Sequence, residues 1–402
     1  MNEAVIVEAV RTPIGKRMGG LSGWHPAELA AQTLIALQER TGFDPTTVDD
    51  VMMGCVTQVG PQSTNVGRTT VLAAGWPETV PATTMDRQCG SSQQAVHFAA
   101  QSIMAGVNDV VVAAGIEAMS TVPMFSNAPN DDITKVYGEV AQQRYADREA
   151  FGYSGLVPQG ISVEMIARRW NLTREELDAF ALRSHERAAA ARDEGRFERE
   201  IVPVGIKRRD RETGAVTVET GRLAHDEPIR DTSLAKLADL KPSFIPDGLV
   251  TAGNASQIVD GAAALLIMSR ERAEALGLRP RAVIRHMSVV GADPVQMLTA
   301  PIPATRQVLA RAGMTVDDID LFECNEAFAP VVLAWQKEVG ADPAKVNVNG
   351  GGISLGHPLG ASGARLMVTL LHELERSGGR FGLQTMCEGG GMANATIIER
   401  VA

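Results

Sequence analysis

Residues 47–55, TVDDVMMGC, and residues 315–324, TVDDIDLFEC, repeat one phrase at an offset of 268 residues. After each copy come a glycine-containing helix start and then an apolar strand that ends in glycines. In the first copy these are DRQCGSSQQAVHFAAQSI (86–103) and NDVVVAAGIEAM (108–119). In the second they are GHPLGASGARLMVTLLHEL (356–374) and RFGLQTMCEGGG (380–391). Self-similarity of this kind marks an internal duplication. Apolar strands running into glycine-rich turns, with helices between them, give an α/β class in which helices cover sheets. The same offset carries Cys89 onto His357, so equivalent helix starts bear a thiol in one copy and an imidazole in the other.

Charge divides the chain further. Residues 51–120 hold only six charged side chains, Arg68, Glu78, Asp86, Arg87, Asp109 and Glu117. Residues 121–250 hold 41, almost half of the total of 86. That step predicts a charge-rich insertion between better-buried segments. Three units follow: an N-terminal half from residues 1–120 plus 251–270, an insertion over 121–250, and a C-terminal half over 271–402. Within the insertion, Thr173 is a helix N-cap, followed by acids in the first turn and helical apolar spacing.

At 402 residues the chain can build two or three cores. A net charge of −10 argues against nucleic acid as a partner. Seven scattered histidines give no metal-ligand spacing, so no metal site is expected. No window is a good membrane span, because the most apolar ones are broken by Gln, His, Asn and Asp. The four cysteines, Cys55, Cys89, Cys324 and Cys387, form no disulfide pattern, and the N-terminus is unlike a secretory or transit peptide. A cytoplasmic location is the expectation.

The candidate chemistry lies at the glycine-rich ends. Cys89 at the mouth of an uncharged helix reads either as a small buried filler or as a nucleophile whose thiolate the helix N–H groups stabilise. CEGGG from Cys387 reads as a tight turn or as a cradle of backbone N–H groups. His357 reads as a packing or capping group, with Pro358 at the first helical position, or as a base. Asn325 and Glu326 are polar residues in an apolar run and are expected to hold a water or a catalytic group. Together these residues can attack a carbonyl, move a proton at carbon and stabilise an oxyanion.

Seven stretches in order make the sequence resemble the thiolases, acetyl-CoA C-acyltransferases, over essentially its whole length. They are VIVEAVRTPIGK from Val5, QCGSSQQA around Cys89, GIEAMS from Gly115, DGLVTAGNASQIVDGAAA from Asp247, NEAFA from Asn325, GHPLGASG around His357 and CEGGG from Cys387. The resemblance implies a five-layered α-β-α-β-α fold of two similar halves with an inserted loop domain. It implies acyl transfer between 3-oxoacyl-CoA and coenzyme A by a ping-pong reaction, with no permanently bound cofactor and coenzyme A as co-substrate. Cys89 would take the acyl group, His357 would activate it, and Cys387 would be the acid/base at the acetyl α-carbon. The N–H groups of Cys89 and Gly389 would form one oxyanion hole, and His357 with a water held by Asn325 the other. Coenzyme A contacts carry over to Arg230, Phe244, Ala252 and Ser256, and a homodimer or homotetramer is implied.

Two departures bear on substrate. Asp86 stands where asparagine is frequent in the family. Pro158, Gln159 and Gly160 stand where short-chain biosynthetic members have His-Met-Gly, which predicts a longer or bulkier acyl chain than acetoacetyl. Two other readings stay open. A ketosynthase-type condensing enzyme would carry a second histidine in place of Cys387. A non-catalytic acyl-CoA or sterol-binding module would lack a hyperreactive Cys89. The cluster Lys207, Arg208, Arg209 and Arg211 reads as a solvated hairpin, with attraction of nucleotide phosphates as the alternative.

Overall fold

The computed structural model describes residues 2–131 and 133–401. Strands of four or more residues and helices of eight or more are numbered in chain order. The strands are β1 (Ala4–Arg11), β2 (Asp50–Gly54), β3 (Ala82–Met85), β4 (Val110–Ala118), β5 (Val204–Arg209), β6 (Val216–Leu223), β7 (Val259–Ser269), β8 (Ala282–Gly291), β9 (Leu321–Cys324), β10 (Phe381–Glu388) and β11 (Met392–Arg400). The helices are α1 (Pro26–Thr41), α2 (Val66–Ala73), α3 (Ser91–Met104), α4 (Gln159–Arg169), α5 (Arg174–Asp193), α6 (Pro301–Ala312), α7 (Ala329–Val339) and α8 (Leu359–Ser377).

Strand order shows the duplication directly. The first half runs β3-β2-β4-β7-β1, and the second β9-β10-β11-β8. In the second half Phe322 of β9 bridges in parallel to Val346, the place that β3 takes beside β2. The halves join where Val5 and Ile6 of β1 pair with Val283 and Ala282 of β8. The 268-residue offset carries Ser91, the first residue of α3, onto Leu359, the first residue of α8. Pro358 is therefore the N-cap of α8 rather than its first helical residue.

Successive side chains of a strand point to opposite faces, and here both faces are apolar. From β4, Val110, Val112, Ala114 and Ile116 join a core with α1, while Val111 and Ala113 join another with α3 and α8. From β11, Ile398 joins the α3/α8 core, whereas Ile397 turns to the core containing α6 and α7. The layers are thus α1 and α2, the first half of the sheet, α3 with α8, the second half of the sheet, then α6 and α7. A helix enclosed on all sides is apolar around its circumference. Residues 360–374 of α8 are all buried, and α3 carries no charged residue although its Phe98 and Gln101 reach solvent.

The charge-rich insertion does not stand apart from the cores. Val163 and Ile166 of α4 and Leu177 and Phe180 of α5 are buried in the second half's outer core beside Val331, Val332 and Trp335 of α7. Thr173 closes a capping box with Glu176 at the start of α5, as its sequence predicts. A buried ion cluster ties the insertion to β1. The Arg11 guanidinium donates to both oxygens of Asp226, at 2.7 and 2.9 Å, and to Glu200 at 2.6 Å, with all three side chains out of solvent. The cluster Lys207, Arg208 and Arg209 lies on the β5–β6 hairpin, where Lys207 pairs with Glu28 and Arg208 with Glu219.

The middle layer depends on close backbone approach. A Cβ on Gly363 of α8 would overlap the backbone nitrogen of Gln93 on α3 and lie 2.9 Å from its Cα. Neither atom can yield without moving a helix. Gly363→Ala should therefore destabilise the protein by about 1–3 kcal/mol, the usual range for overpacking a filled interior. Urea unfolding would measure it, and a loss below about 0.5 kcal/mol would mean that the helices separate freely.

Candidate active site

Cys89 sits one residue before the N-cap of α3, on a turn that its neighbours hold closed. Gln88 has φ of +48°, in the left-handed region that a side chain adopts at a cost. Asp86 accepts from the Gln88 N–H at 2.6 Å. The Ser91 hydroxyl donates to the Gln88 carbonyl at 2.6 Å and accepts from the Arg87 N–H at 2.9 Å. Burial pushes the Cys89 thiol well up, and Cys387, Glu388 and Asp86 add to the effect. The cysteine's own backbone N–H opposes them and is outweighed. Of the two readings of this helix mouth, burial favours a neutral resting thiol over a thiolate held by the helix N–H groups.

His357 precedes α8 by two residues and is also buried. Its Nδ1 lies 2.5 Å from the Ser362 hydroxyl, which itself donates to the Pro358 carbonyl at 2.9 Å. With the serine proton committed, Nδ1 must carry the ring proton and Nε2 is left as the acceptor. Asn325 Nδ2 donates to that Nε2 at 3.3 Å. Burial, with the Arg365 guanidinium nearby, pushes His357 down to about 3, so the ring is a neutral base. Asn325 thus meets the imidazole directly. Glu326 instead holds the chain leading to it, accepting from Ser184 at 2.6 Å, Asn347 at 3.0 Å and the Ile353 N–H at 3.2 Å.

Cys387 lies near the end of β10, wholly buried, its thiol pushed up by burial and by the neighbouring Cys324. It lies near enough to Cys89 for a charge on Cys387 to raise the Cys89 thiol. Gly389 faces the Cys89 turn, where a Cβ would lie 3.0 Å from Gln88 Oε1.

Cys89 and His357 line one cavity of about 590 Å³. Met119, Met124, Phe125, Pro158, Ile161 and Leu359 give it an apolar wall. Phe244, Ala252 and Ser256 line it too, and Phe244 packs edge-on to Phe328 at 5.9 Å. Arg230 does not: it is exposed, and its charge is felt by His185 on α5. Asn325, Cys387 and Gly389 do not line it. Among the described residues no group of three or more His, Cys, Asp or Glu is placed to hold a metal ion. No helix among them is long and apolar enough to cross a membrane.

One positioning group escaped the sequence reading. Glu117 of β4, fully buried, accepts from the Val56, Thr57 and Gly360 N–H groups at 3.0, 3.1 and 2.9 Å and from Gln62 at 3.0 Å. It holds the first turn of the His357 helix against the Cys55 loop, a carboxyl at a helix N-terminus. The available signal was a carboxylate inside the apolar run VVVAAGIEAM, which needs buried donors.

Comparison with known proteins agrees with this arrangement. The family model of the thiolase N-terminal domain matches residues 4–271, and that of the thiolase C-terminal domain matches residues 278–400. The steroid 3-ketoacyl-CoA thiolase FadA6 of Mycobacterium tuberculosis is 52% identical over 406 residues, covering 100% of this chain and 95% of the relative. An acetyl-CoA acetyltransferase of Chromobacterium violaceum is 45% identical, covering 99% and 100%. The crystal structure of the Bacillus anthracis acetyl-CoA acetyltransferase superposes with a TM-score of 0.86 at 42% identity, covering 100% of this chain and 99% of that one. Two repeated halves, a thiol and an imidazole at equivalent helix starts, and a full-length match to both domains therefore place this chain in the thiolase family, the acyltransferases that cleave or form 3-oxoacyl-CoA.

Proposed function

We propose that this thiolase works through a Cys89 acyl-enzyme and prefers 3-oxoacyl chains longer than four carbons. The observation that carries the reading is the shared cavity of a neutral thiol, Cys89, and a neutral imidazole, His357, with a second thiol, Cys387, near enough to act on Cys89.

Neutral partners suit the chemistry. Nε2 of His357 takes the Cys89 proton as sulfur attacks the 3-oxo carbon, so charge appears only when substrate is bound. The imidazolium formed keeps its Nδ1 proton on Ser362 and turns a new Nε2–H toward the oxyanion, alongside a water held by Asn325. The N–H groups of Cys89 and Gly389 supply the other oxyanion hole. Collapse of the adduct breaks the bond between the α- and β-carbons and leaves the acyl group on Cys89. Cys387 gives its proton to the departing acetyl-CoA carbanion. Its thiolate then takes the proton of incoming coenzyme A, whose sulfur attacks the acyl-Cys89 thioester; the bond to Cys89 breaks, and the departing thiolate recovers its proton from His357 Nε2. Phe244, Ala252 and Ser256 would flank the pantetheine arm, and the exposed Arg230 would meet the nucleotide end. Coenzyme A enters as substrate, and no resident cofactor is proposed. A homodimer or homotetramer in a cytoplasmic setting remains part of the proposal.

Incubation with an acyl-CoA alone should leave one acyl group on the Cys89 peptide by mass spectrometry. An acyl group on Cys387 instead would reverse the roles. Cys387→Ala should still exchange acetyl groups between acetyl-CoA and coenzyme A, while thiolysis of 3-oxoacyl-CoA falls by about 10² to 10⁴. Equal loss of both reactions would sink the division of labour.

Chain length rests on the apolar wall. Pro158 and Ile161 line a cavity of about 590 Å³, which sits within the range of about 300–1,000 Å³ typical of drug-sized ligands. The relative named as a steroid 3-ketoacyl-CoA thiolase supports a bulky acyl group. Each further methylene buried contributes roughly 0.8 kcal/mol, about fourfold in kcat/KM. A thiolysis series from four carbons upward should therefore rise beyond six carbons. A maximum at acetoacetyl-CoA would refute the preference.

A further inference from the structure

Glu388 follows Cys387 on β10, so its side chain points to the opposite face of the strand. That face meets the turn carrying Cys89. A Cβ on Gly90 would overlap Glu388 Oε1 and lie 2.8 Å from Asn394 Oδ1, so both oxygens crowd the same Cα. The Glu388 side chain is fully out of solvent, and neither of its oxygens has a hydrogen-bond partner among the described residues. Nor has Asn394 Oδ1, because Asn394 Nδ2 is directed at the Gly90 carbonyl, 3.3 Å away. The Asn394 backbone N–H faces the carboxyl without reaching hydrogen-bond geometry.

Both oxygens approach the same side of Gly90, and a buried acceptor there is costly to leave without a donor. Reversing the Asn394 amide offers no escape, since its oxygen would then face the Gly90 carbonyl. The group that can supply the proton is the Glu388 carboxyl in its acid form. We propose that Glu388 is a positioning residue for the nucleophile: a carboxylic acid that keeps its proton during turnover, donates it to Asn394 Oδ1, and so fixes the Gly90 carbonyl and the turn that bears Cys89. The role in catalysis rests on the reading of Cys89 as nucleophile.

The charged and titratable surroundings agree. Arg87 and Asp86 face Glu388 from the Cys89 turn, Cys89 lies on that turn, and Cys387 shares its strand. Arg87 would favour an ionised Glu388, but its guanidinium is turned to Met392 Sδ at 3.8 Å and makes no ion pair with the carboxyl. Asp86 opposes ionisation, and burial outweighs the rest, raising Glu388 to about 8. The sign follows. Below about pH 8 the group is neutral and leaves both thiols free to ionise in turn. Above it, the new negative charge opposes thiolate formation at Cys89 and Cys387, so activity falls as pH rises.

Three measurements on the full-length enzyme test this. Infrared difference spectra near neutral pH should contain a protonated carboxylic acid band that Glu388→Gln removes. Glutamine keeps a donor for Asn394, so this variant should stay within about threefold of the wild type at pH 7. Wild-type kcat/KM should drop about tenfold by one pH unit above the Glu388 transition, and Glu388→Gln should lose that drop. Glu388→Ala, which lacks the donor, should lower kcat at every pH with KM little changed. If Glu388→Gln does not fold, the same acid band should shift in Asn394→Ala, where the acceptor is gone. Absence of a band assignable to Glu388, or an alkaline limb identical in wild type and Glu388→Gln, overturns the proposal. The infrared signal reads the proton on Glu388 whichever cysteine carries the acyl group, so its failure is separate from failure of the Cys89 assignment.

Discussion

Backbone contact between two helices, Gly363 of α8 against Gln93 of α3, is the constraint from which the site follows. These helices occupy equivalent places in the two halves and are enclosed between the two halves of the sheet. Because no side chain intervenes, their N-terminal ends converge. Cys89 precedes one and His357 the other, so the crossing brings a thiol and an imidazole to one cavity. Glu117 reinforces the arrangement by reaching from β4 to the first turn of α8. The duplication thus supplies the geometry, and divergence at two positions supplies the chemistry.

Burial then sets the proton inventory. Both thiols are pushed up and the histidine is pushed down to about 3, so Cys89, Cys387 and His357 carry no formal charge at neutral pH. A dry site of this kind makes every donor aimed at a developing oxyanion count for more than it would in water. It also makes each extra buried carboxyl consequential. Glu326 is matched by Ser184, Asn347 and a backbone N–H, whereas Glu388 has no hydrogen-bond partner among the described residues. The same strand ending therefore presents a thiol to one face and an unpaired acid to the other.

The insertion has a structural reason to be charge-rich without being detached. Its outer surfaces face solvent, as in the β5–β6 hairpin, while α4 and α5 close the second half's outer core. Arg11, chelated by Glu200 and Asp226, fixes it to β1. Breaking such a buried cluster by removing one partner is costly, because the remaining charges stay out of water. The elements that wall the substrate cavity are in this way anchored to both halves.

Much of this was legible in the chain. The repeat at 268 residues, the uncharged helix after Cys89 and the glycine-bounded strands are local patterns, and local patterns determine elements and their pairing into halves. The seven motifs determined the family in the same way. Tertiary structure decided what depends on distance and dielectric. A thiol at a helix mouth reads in sequence either as buried filler or as an activated nucleophile, and burial outweighs the helix N–H groups, so Cys89 rests protonated. Arg230 falls outside the cavity that Phe244, Ala252 and Ser256 line, because exposure is a property of packing. Glu117 and Glu388 look alike as single acids among apolar residues, and only the fold separates them. One finds backbone donors at 2.9–3.1 Å and the other finds no hydrogen-bond partner among the described residues, and no spacing in a sequence records which.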